Sequence, residues 1–107
     1  KAHVYEANPT APPEVEDLTF IMGEKIAVGD VLVALGGLSS EDYLIEVFLK
    51  DIYRDEVLEK EEKKAVTVTL KYQPYEGSLS DDEVAPIRKS AVDKITSGFS
   101  ADLRGKL

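Results

Sequence analysis

Asp51 and Tyr53 stand two residues apart near the end of DYLIEVFLKDIYRD (42–55), a long run rich in strand-forming residues. Alternate residues of a strand share one face of the sheet, so the carboxylate and the ring are expected side by side. On an uncovered sheet face, a ring can stack on an unpaired base and a carboxylate can accept a hydrogen bond from a base edge. The simpler alternative is a half-buried strand aromatic beside a solvated acid, and these two residues by themselves favour that alternative.

The strand that carries this pair has a conflict in its alternation. Val47 and Leu49 have the same parity as Tyr53, whereas the apolar Ile52 has the opposite parity. A β-bulge near Leu49–Lys50 would exchange the two faces and resolve the conflict.

The following strand, AVTVTLKY (65–72), alternates cleanly between apolar and polar residues. Val66, Val68, Leu70 and Tyr72 are predicted on one face. The other face would then carry Ala65, Thr67, Thr69 and Lys71, and it would be continuous with the face of Asp51 and Tyr53.

The rest of the chain supplies the elements that would hold these two strands. DLTFIMG (17–23) alternates like a strand, VGDVLVALGG (28–37) has helical spacing and ends at two glycines, and the last strand is expected within FSADLR (99–104). The segment RDEVLEKEEKK (54–64) is predicted to be a solvated hairpin loop because of its charge. Residues 1–16 contain three prolines and are predicted to be an extended lead-in, with a short edge strand at His3–Tyr5.

The main helix is predicted within SLSDDEVAPIRKSAVDKITSG (78–98). Ser80 and Glu83 have the spacing of a capping box, and Gly98 is a plausible end. Pro86 leaves open a start at that residue, because proline removes a hydrogen bond inside a helix. The buried stripe is predicted to be Val84, Ile87, Ala91 and Ile95.

The order of elements is strand, helix, strand, strand, helix, strand. This order predicts an α+β, ferredoxin-like βαββαβ sandwich over residues 17–107, in which two helices cover one face of a four-stranded antiparallel sheet. The opposite face would then stay open.

Composition and charge exclude several classes of function. The 107 residues carry a formal net charge of −8 and no cysteine, which argues against general nucleic-acid affinity, membrane-surface binding and thiolate chemistry. His3 is the single histidine, no phosphate-binding glycine loop is present, and the acidic clusters EKEEKK and SDDE fit a loop and a helix start better than a metal site. We therefore predict no catalytic residues, no metal and no cofactor. Because the chain begins with Lys1, it is expected to be trimmed or cut from a longer protein.

The motifs EDLTFIM, VGDVL, VFLKDIY, KKAVTVTLKY, SLSDDEV and ADLR follow one another in an order that resembles the ferredoxin-fold anticodon-binding domain. This domain ends the beta chain of bacterial-type phenylalanyl-tRNA synthetase. The resemblance spans about Pro12 to Arg104. It implies that Asp51-Ile52-Tyr53 meets the anticodon loop, with Tyr53 stacking on a base and Asp51 accepting a hydrogen bond from a base edge.

The same resemblance adds Lys64 to the RNA-binding residues, because Lys64-Ala65 matches a Lys-Ser that opens the family's third strand. The predicted RNA-binding set is Asp51, Tyr53, Lys64, Thr67 and Lys71. The domain itself would be non-catalytic and would position the tRNA anticodon stem-loop for a cytoplasmic phenylalanine-tRNA ligase. Its partners would be tRNA and, through the parent beta chain, the alpha subunit, but not DNA or a membrane.

The chain also departs from the family pattern. Glu16 and Gly77 stand where arginines are typical, and Ala65 stands where the family has a serine. Together with the charge of −8, these departures keep open an alternative of a different class. That alternative is a stand-alone ferredoxin-like domain for protein interaction or regulation, without RNA binding.

Overall fold

The computed structural model describes residues 14–75, 77 and 79–104. The short strand predicted at His3–Tyr5 lies outside these residues. The first strand begins at Glu14, three residues earlier than predicted. In chain order the described elements are β1 (Glu14–Gly23), α1 (Val28–Gly36), β2 (Tyr43–Tyr53), α2 (Glu56–Lys60), β3 (Lys63–Pro74), α3 (Asp81–Gly98) and β4 (Asp102–Arg104).

The four strands form one antiparallel sheet in the order β2-β3-β1-β4. This confirms the predicted ferredoxin-like fold. The longer helices α1 and α3 pack on one face, and the core lies between them and the sheet. Its fully buried members include Phe20, Val31, Leu35, Val66, Val68, Leu70 and Ile95. Neither α1 nor α3 covers the opposite face, which is called the open face below.

The helix α3 begins with the predicted capping box. The Ser80 hydroxyl accepts from the Glu83 backbone N–H, and the Glu83 carboxylate accepts from the Ser80 N–H. The start left open at Pro86 is wrong, because the helix runs unbroken from Asp81 to Gly98. Pro86 is tolerated because it is exposed near the helix start, and the carbonyl it leaves unpaired, that of Asp82, belongs to an exposed residue. In the part of the chain that the structure describes, no helix is both long and apolar enough to cross a membrane.

The charged segment between β2 and β3 was predicted to be a solvated hairpin loop. The structure shows that it also contains the short helix α2. Its N-cap is Asp55, whose carboxylate accepts from the Leu58 N–H at 2.8 Å. Leu58 is buried among otherwise exposed charged residues, so a single apolar side chain anchors the helix. Glu62 then takes a left-handed conformation with φ of 58°, which turns the chain into β3. This connection holds the end of β2 close to the beginning of β3.

Candidate nucleic-acid interface

The open face carries side chains from all four strands in register. Residues paired across antiparallel strands lie on the same side of the sheet, so pairs can be followed from β2 to β4 as rows. One row is Tyr53, Ala65, Ile21 and Asp102; the next is Asp51, Thr67, Thr19 and Arg104; a third is Phe48, Thr69 and Asp17.

The predicted bulge is confirmed, and it decides which residues lie on the open face. The register between β2 and β3 shifts between Leu49 and Asp51, so that Lys50 is the extra residue. Before the shift, Phe48 pairs with Thr69 on the open face. After the shift, odd-numbered residues take that face, and Asp51 lies there with Tyr53. Without the extra residue, strict alternation would turn Asp51 and Tyr53 to the helix-covered face of the sheet.

Asp51 and Tyr53 are both accessible. Tyr53 is 48 % exposed at the end of β2, and its neighbours in the row are the buried Ala65 and the half-buried Ile21. The carboxylate of Asp51 is exposed and makes no hydrogen bond or ion pair to any residue that the structure describes. A ring next to small apolar neighbours and an acceptor without a partner are therefore presented together at one corner of the face.

The threonines beside Asp51 form a polar track across the centre of the sheet. Thr67 and Thr19 share a hydrogen bond between their hydroxyl oxygens at 2.8 Å, and either one can be the donor. Because one bond uses one proton of the two hydroxyls, the pair keeps one O–H for a ligand. Thr69 instead donates to the Asp17 carboxylate at 2.7 Å, so its hydroxyl is already used.

The charged groups of the open face largely neutralise one another. Lys50 extends from the bulge to the Asp17 carboxylate at 2.5 Å. Its hydrogen bond, followed by that of Thr69, lowers the pKa of Asp17, while the same contact raises the pKa of Lys50. Lys71 lies 3.6 Å from Glu46. The predicted Lys71 is therefore on the open face, but its charge is paired there.

Lys64 lies apart from the other predicted site residues. It is 6 % exposed, on the helix-covered side of β3, where it has the parity of Val66. Its ammonium donates to the backbone carbonyls of Glu24 at 3.0 Å and Ile26 at 2.7 Å. These contacts tie the connection between β1 and α1 to the sheet. The structure thus brings together Asp51, Tyr53 and Thr67, places Lys71 on the same face but two rows from Asp51, and gives Lys64 a structural position.

A bidentate ion pair holds the strand end next to Tyr53. Arg54 binds both carboxylate oxygens of Glu24, with its Nη2 at 2.9 Å from Oε2. The hydrogen bond from Arg54 is the main cause that lowers the pKa of Glu24. Because Arg54 is engaged in this way, it anchors the end of β2 to the β1–α1 connection.

Several residues of the open face, including Thr19 of the threonine pair, were not among the predicted site residues. Ile21 and Arg104 lie in the rows of Tyr53 and Asp51, and Phe48 lies one row further along β2. The position of Phe48 could have been predicted from the sequence. A bulge at Leu49–Lys50 puts even-numbered residues that precede the bulge on the same face as odd-numbered residues that follow it, so Phe48 shares a face with Asp51. Arg104 could be found only from the pairing of β4 with β1.

Comparison with known proteins gives one consistent result. The family model of the ferredoxin-fold anticodon binding domain matches residues 9–104. Similar proteins include phenylalanine–tRNA ligase beta subunits of Prochlorococcus marinus, 32 % identical over 101 residues, and of Geobacillus kaustophilus, 29 % identical over 101 residues. Each alignment covers 94 % of this chain and 12 % of the relative. The beta subunit of Geobacter sulfurreducens is 27 % identical over 93 residues, which are 87 % of this chain and 11 % of the relative. The chain thus spans about a tenth of the length of these relatives.

Proposed function

This chain belongs to the family of ferredoxin-fold anticodon-binding domains, and on that premise we propose that its open face binds the unpaired anticodon loop of a tRNA. The site is the corner formed by Asp51, Tyr53 and the Thr19–Thr67 pair. The observation that carries the proposal is the bulge at Lys50, which turns to the open face both an exposed ring and a carboxylate that has no partner among the described residues.

The chemistry of the corner suits an unpaired base better than a duplex. The Tyr53 ring offers a stacking surface that accepts any base. An ionised carboxylate only accepts hydrogen bonds, so Asp51 pairs with N–H groups on a base edge. Stacking on a side chain needs a base that has left the helical stack, and the Watson–Crick N–H groups of a base are free only when the base is unpaired.

Cations play a small part in this site. Lys50 and Lys71 are paired with acids of the same face. Among the described residues this leaves Arg104, in the row of Asp51, and the half-buried Lys63, which has the parity of Ala65, as side chains that can meet a phosphate. Binding that depends mostly on stacking and base-edge hydrogen bonds is expected to respond weakly to salt. For single strands, the slope of log K against log salt is roughly −0.7 per phosphate contact.

In the longer protein the domain would position the tRNA and would not catalyse a reaction. We infer that it belongs to a phenylalanine–tRNA ligase beta chain that works with an alpha subunit, because the similar proteins bear that name and the alignments cover only about a tenth of their length. The domain would hold the anticodon stem-loop while the acceptor end of the tRNA reaches a catalytic centre elsewhere in the assembly.

The direct test is the affinity of the 107-residue chain for a synthetic anticodon stem-loop of phenylalanine tRNA. Tyr53→Ala is expected to weaken binding about 5- to 150-fold, the range of one stacked base. Val33→Ala is the matched control, because Val33 is an exposed apolar residue on α1, which packs on the opposite face of the sheet. Equal affinities of wild type and Tyr53→Ala would reject the site.

A salt series distinguishes this site from non-specific attraction. The proposed corner predicts a shallow slope, equivalent to about one or two phosphate contacts. If the chain shows no affinity for the stem-loop at low salt, the alternative of a protein-interaction domain is favoured, as its net charge of −8 would suggest.

A further inference from the structure

Phe48 is a second exposed aromatic side chain on the open face. It is 50 % exposed, close to the 48 % of Tyr53, and both residues lie on β2. Its neighbours across the sheet are the polar Thr69 and, one strand further, Asp17. The ring therefore does not belong to an apolar cluster of the open face, and the proposed corner at Tyr53 does not use it.

The distance between the two rings is set by the register. Phe48 pairs with Thr69 and Tyr53 pairs with Ala65, so four residues of β3 separate their rows. At roughly 3.3 Å per residue, the rows are about 13 Å apart. Neighbouring bases in a continuous stack are only about 3.4 Å apart. Two bases on the two rings would therefore be splayed and separated by at least one nucleotide.

The surface between the rings does not repel an RNA chain strongly. Asp17, which lies in the row of Phe48, is held by Lys50 and Thr69, so its charge is compensated locally. The stem of Lys50 crosses this part of the face to reach Asp17. The carboxylate without a partner among the described residues is that of Asp51, which the proposed corner assigns to a base edge.

We propose that Phe48 is a second base-stacking residue, which holds an unpaired nucleotide at least two positions away from the one that Tyr53 holds. The inference rests on the proposed function and extends its footprint from one corner to the length of β2. It makes the site a reader of a short single-stranded segment, with two aromatic contacts and the Asp51 acceptor between them.

The experiment places 2-aminopurine at each loop position of the anticodon stem-loop in turn and follows its fluorescence on binding to the 107-residue chain. Stacking on a protein ring alters the emission of the base. We expect one position to lose its response in Tyr53→Ala and a different position, not adjacent to the first, to lose its response in Phe48→Ala. Phe48→Ala should weaken binding of the unlabelled stem-loop about 5- to 150-fold. Phe48→Tyr, which keeps an aromatic ring, should retain both the fluorescence response and the affinity of the wild type.

Control variants separate the possible outcomes. Val33→Ala removes an exposed apolar side chain from α1, away from the open face. This variant should leave the fluorescence response at both labelled positions unchanged. If Tyr53→Ala removes one response but Phe48→Ala removes none and leaves the affinity unchanged, the second stacking position is refuted and the proposed function stands. If neither variant changes any response, both are refuted.

Discussion

Replacing Lys64 by methionine tests whether this lysine holds the fold together or binds RNA. Its ammonium is buried and donates to the carbonyls of Glu24 and Ile26, and its Nζ also lies 3.8 Å from the Glu24 carboxylate. Methionine keeps most of the aliphatic volume but leaves both carbonyls without a donor. We expect Lys64→Met to lower the free energy of unfolding and to leave the RNA affinity of the folded protein unchanged.

The magnitude follows from the two hydrogen bonds. A hydrogen bond from a charged group contributes about 1.5–3 kcal/mol, and an orphaned acceptor adds a desolvation penalty. Because Glu24 and Ile26 are only half buried, water can reach part of the vacated space, and we expect a loss of about 2–4 kcal/mol in total. A domain of this size loses roughly 4–8 °C of melting temperature per kcal/mol, so the midpoint should fall by about 8–32 °C. The protein should still fold at room temperature, since small domains have about 5–15 kcal/mol of stability.

The assay is urea unfolding followed by circular dichroism, with stem-loop binding measured below the transition. Lys71→Met is the matched control, because Lys71 lies on the open face and pairs with Glu46 at 3.6 Å. An exposed ion pair of this kind contributes at most about 1 kcal/mol, so the control should change stability little. A variant Lys64→Met with wild-type stability and weakened RNA binding would refute the structural role and return Lys64 to the interface.

Three further predictions concern stability. Tyr72→Phe removes the hydrogen bond from a buried hydroxyl to the Glu16 carboxylate (2.7 Å) and should cost about 1–2 kcal/mol in urea unfolding; an unchanged midpoint would contradict this. Asp17 has a lowered pKa in the folded state because of Lys50 and Thr69, so its contribution to stability is present above about pH 4 and is lost as the pH falls below that value. Asp17→Asn should therefore reduce the acid sensitivity measured in a pH series of thermal melts, and parallel wild-type and variant curves would argue against it. Asp55→Ala removes the N-cap of α2 and should cost about 1 kcal/mol in the same urea assay, whereas Asp55→Asn, which can still cap, should cost less.

The sequence was sufficient to predict the fold and the bulge, because both leave signals in local alternation. The clean pattern of β3 determined which of its faces was apolar. The conflict between Leu49 and Ile52 could be resolved only by an extra residue, and the structure places that residue at Lys50. The capping box at Ser80 likewise marked the start of α3, although Pro86 obscured it.

Sequence reasoning was weakest for residues whose position depends on long-range contacts. Charge made the segment before β3 look like a loop, since only Leu58 is buried in α2. Lys64 was assigned to the interface by resemblance, although it shares the parity of Val66. A buried lysine is rare, and only the carbonyls of the β1–α1 connection, about 40 residues away in sequence, explain it.

The chain has 21 acidic and 13 basic residues. This excess of acids is compatible with an RNA-binding face because ion pairs neutralise part of the charge on that face. Two of the lysines on the open face are bound to acids of that face, so the surface neither attracts phosphates strongly nor presents a block of negative charge. The accessible groups are mainly Tyr53, Phe48 and Asp51, which can contact bases, while Arg104 is available for a phosphate. Backbone contacts supply affinity without sequence information, whereas base contacts supply discrimination. On the proposed function, this face therefore contributes mainly to the choice among anticodons and little to the overall affinity for tRNA.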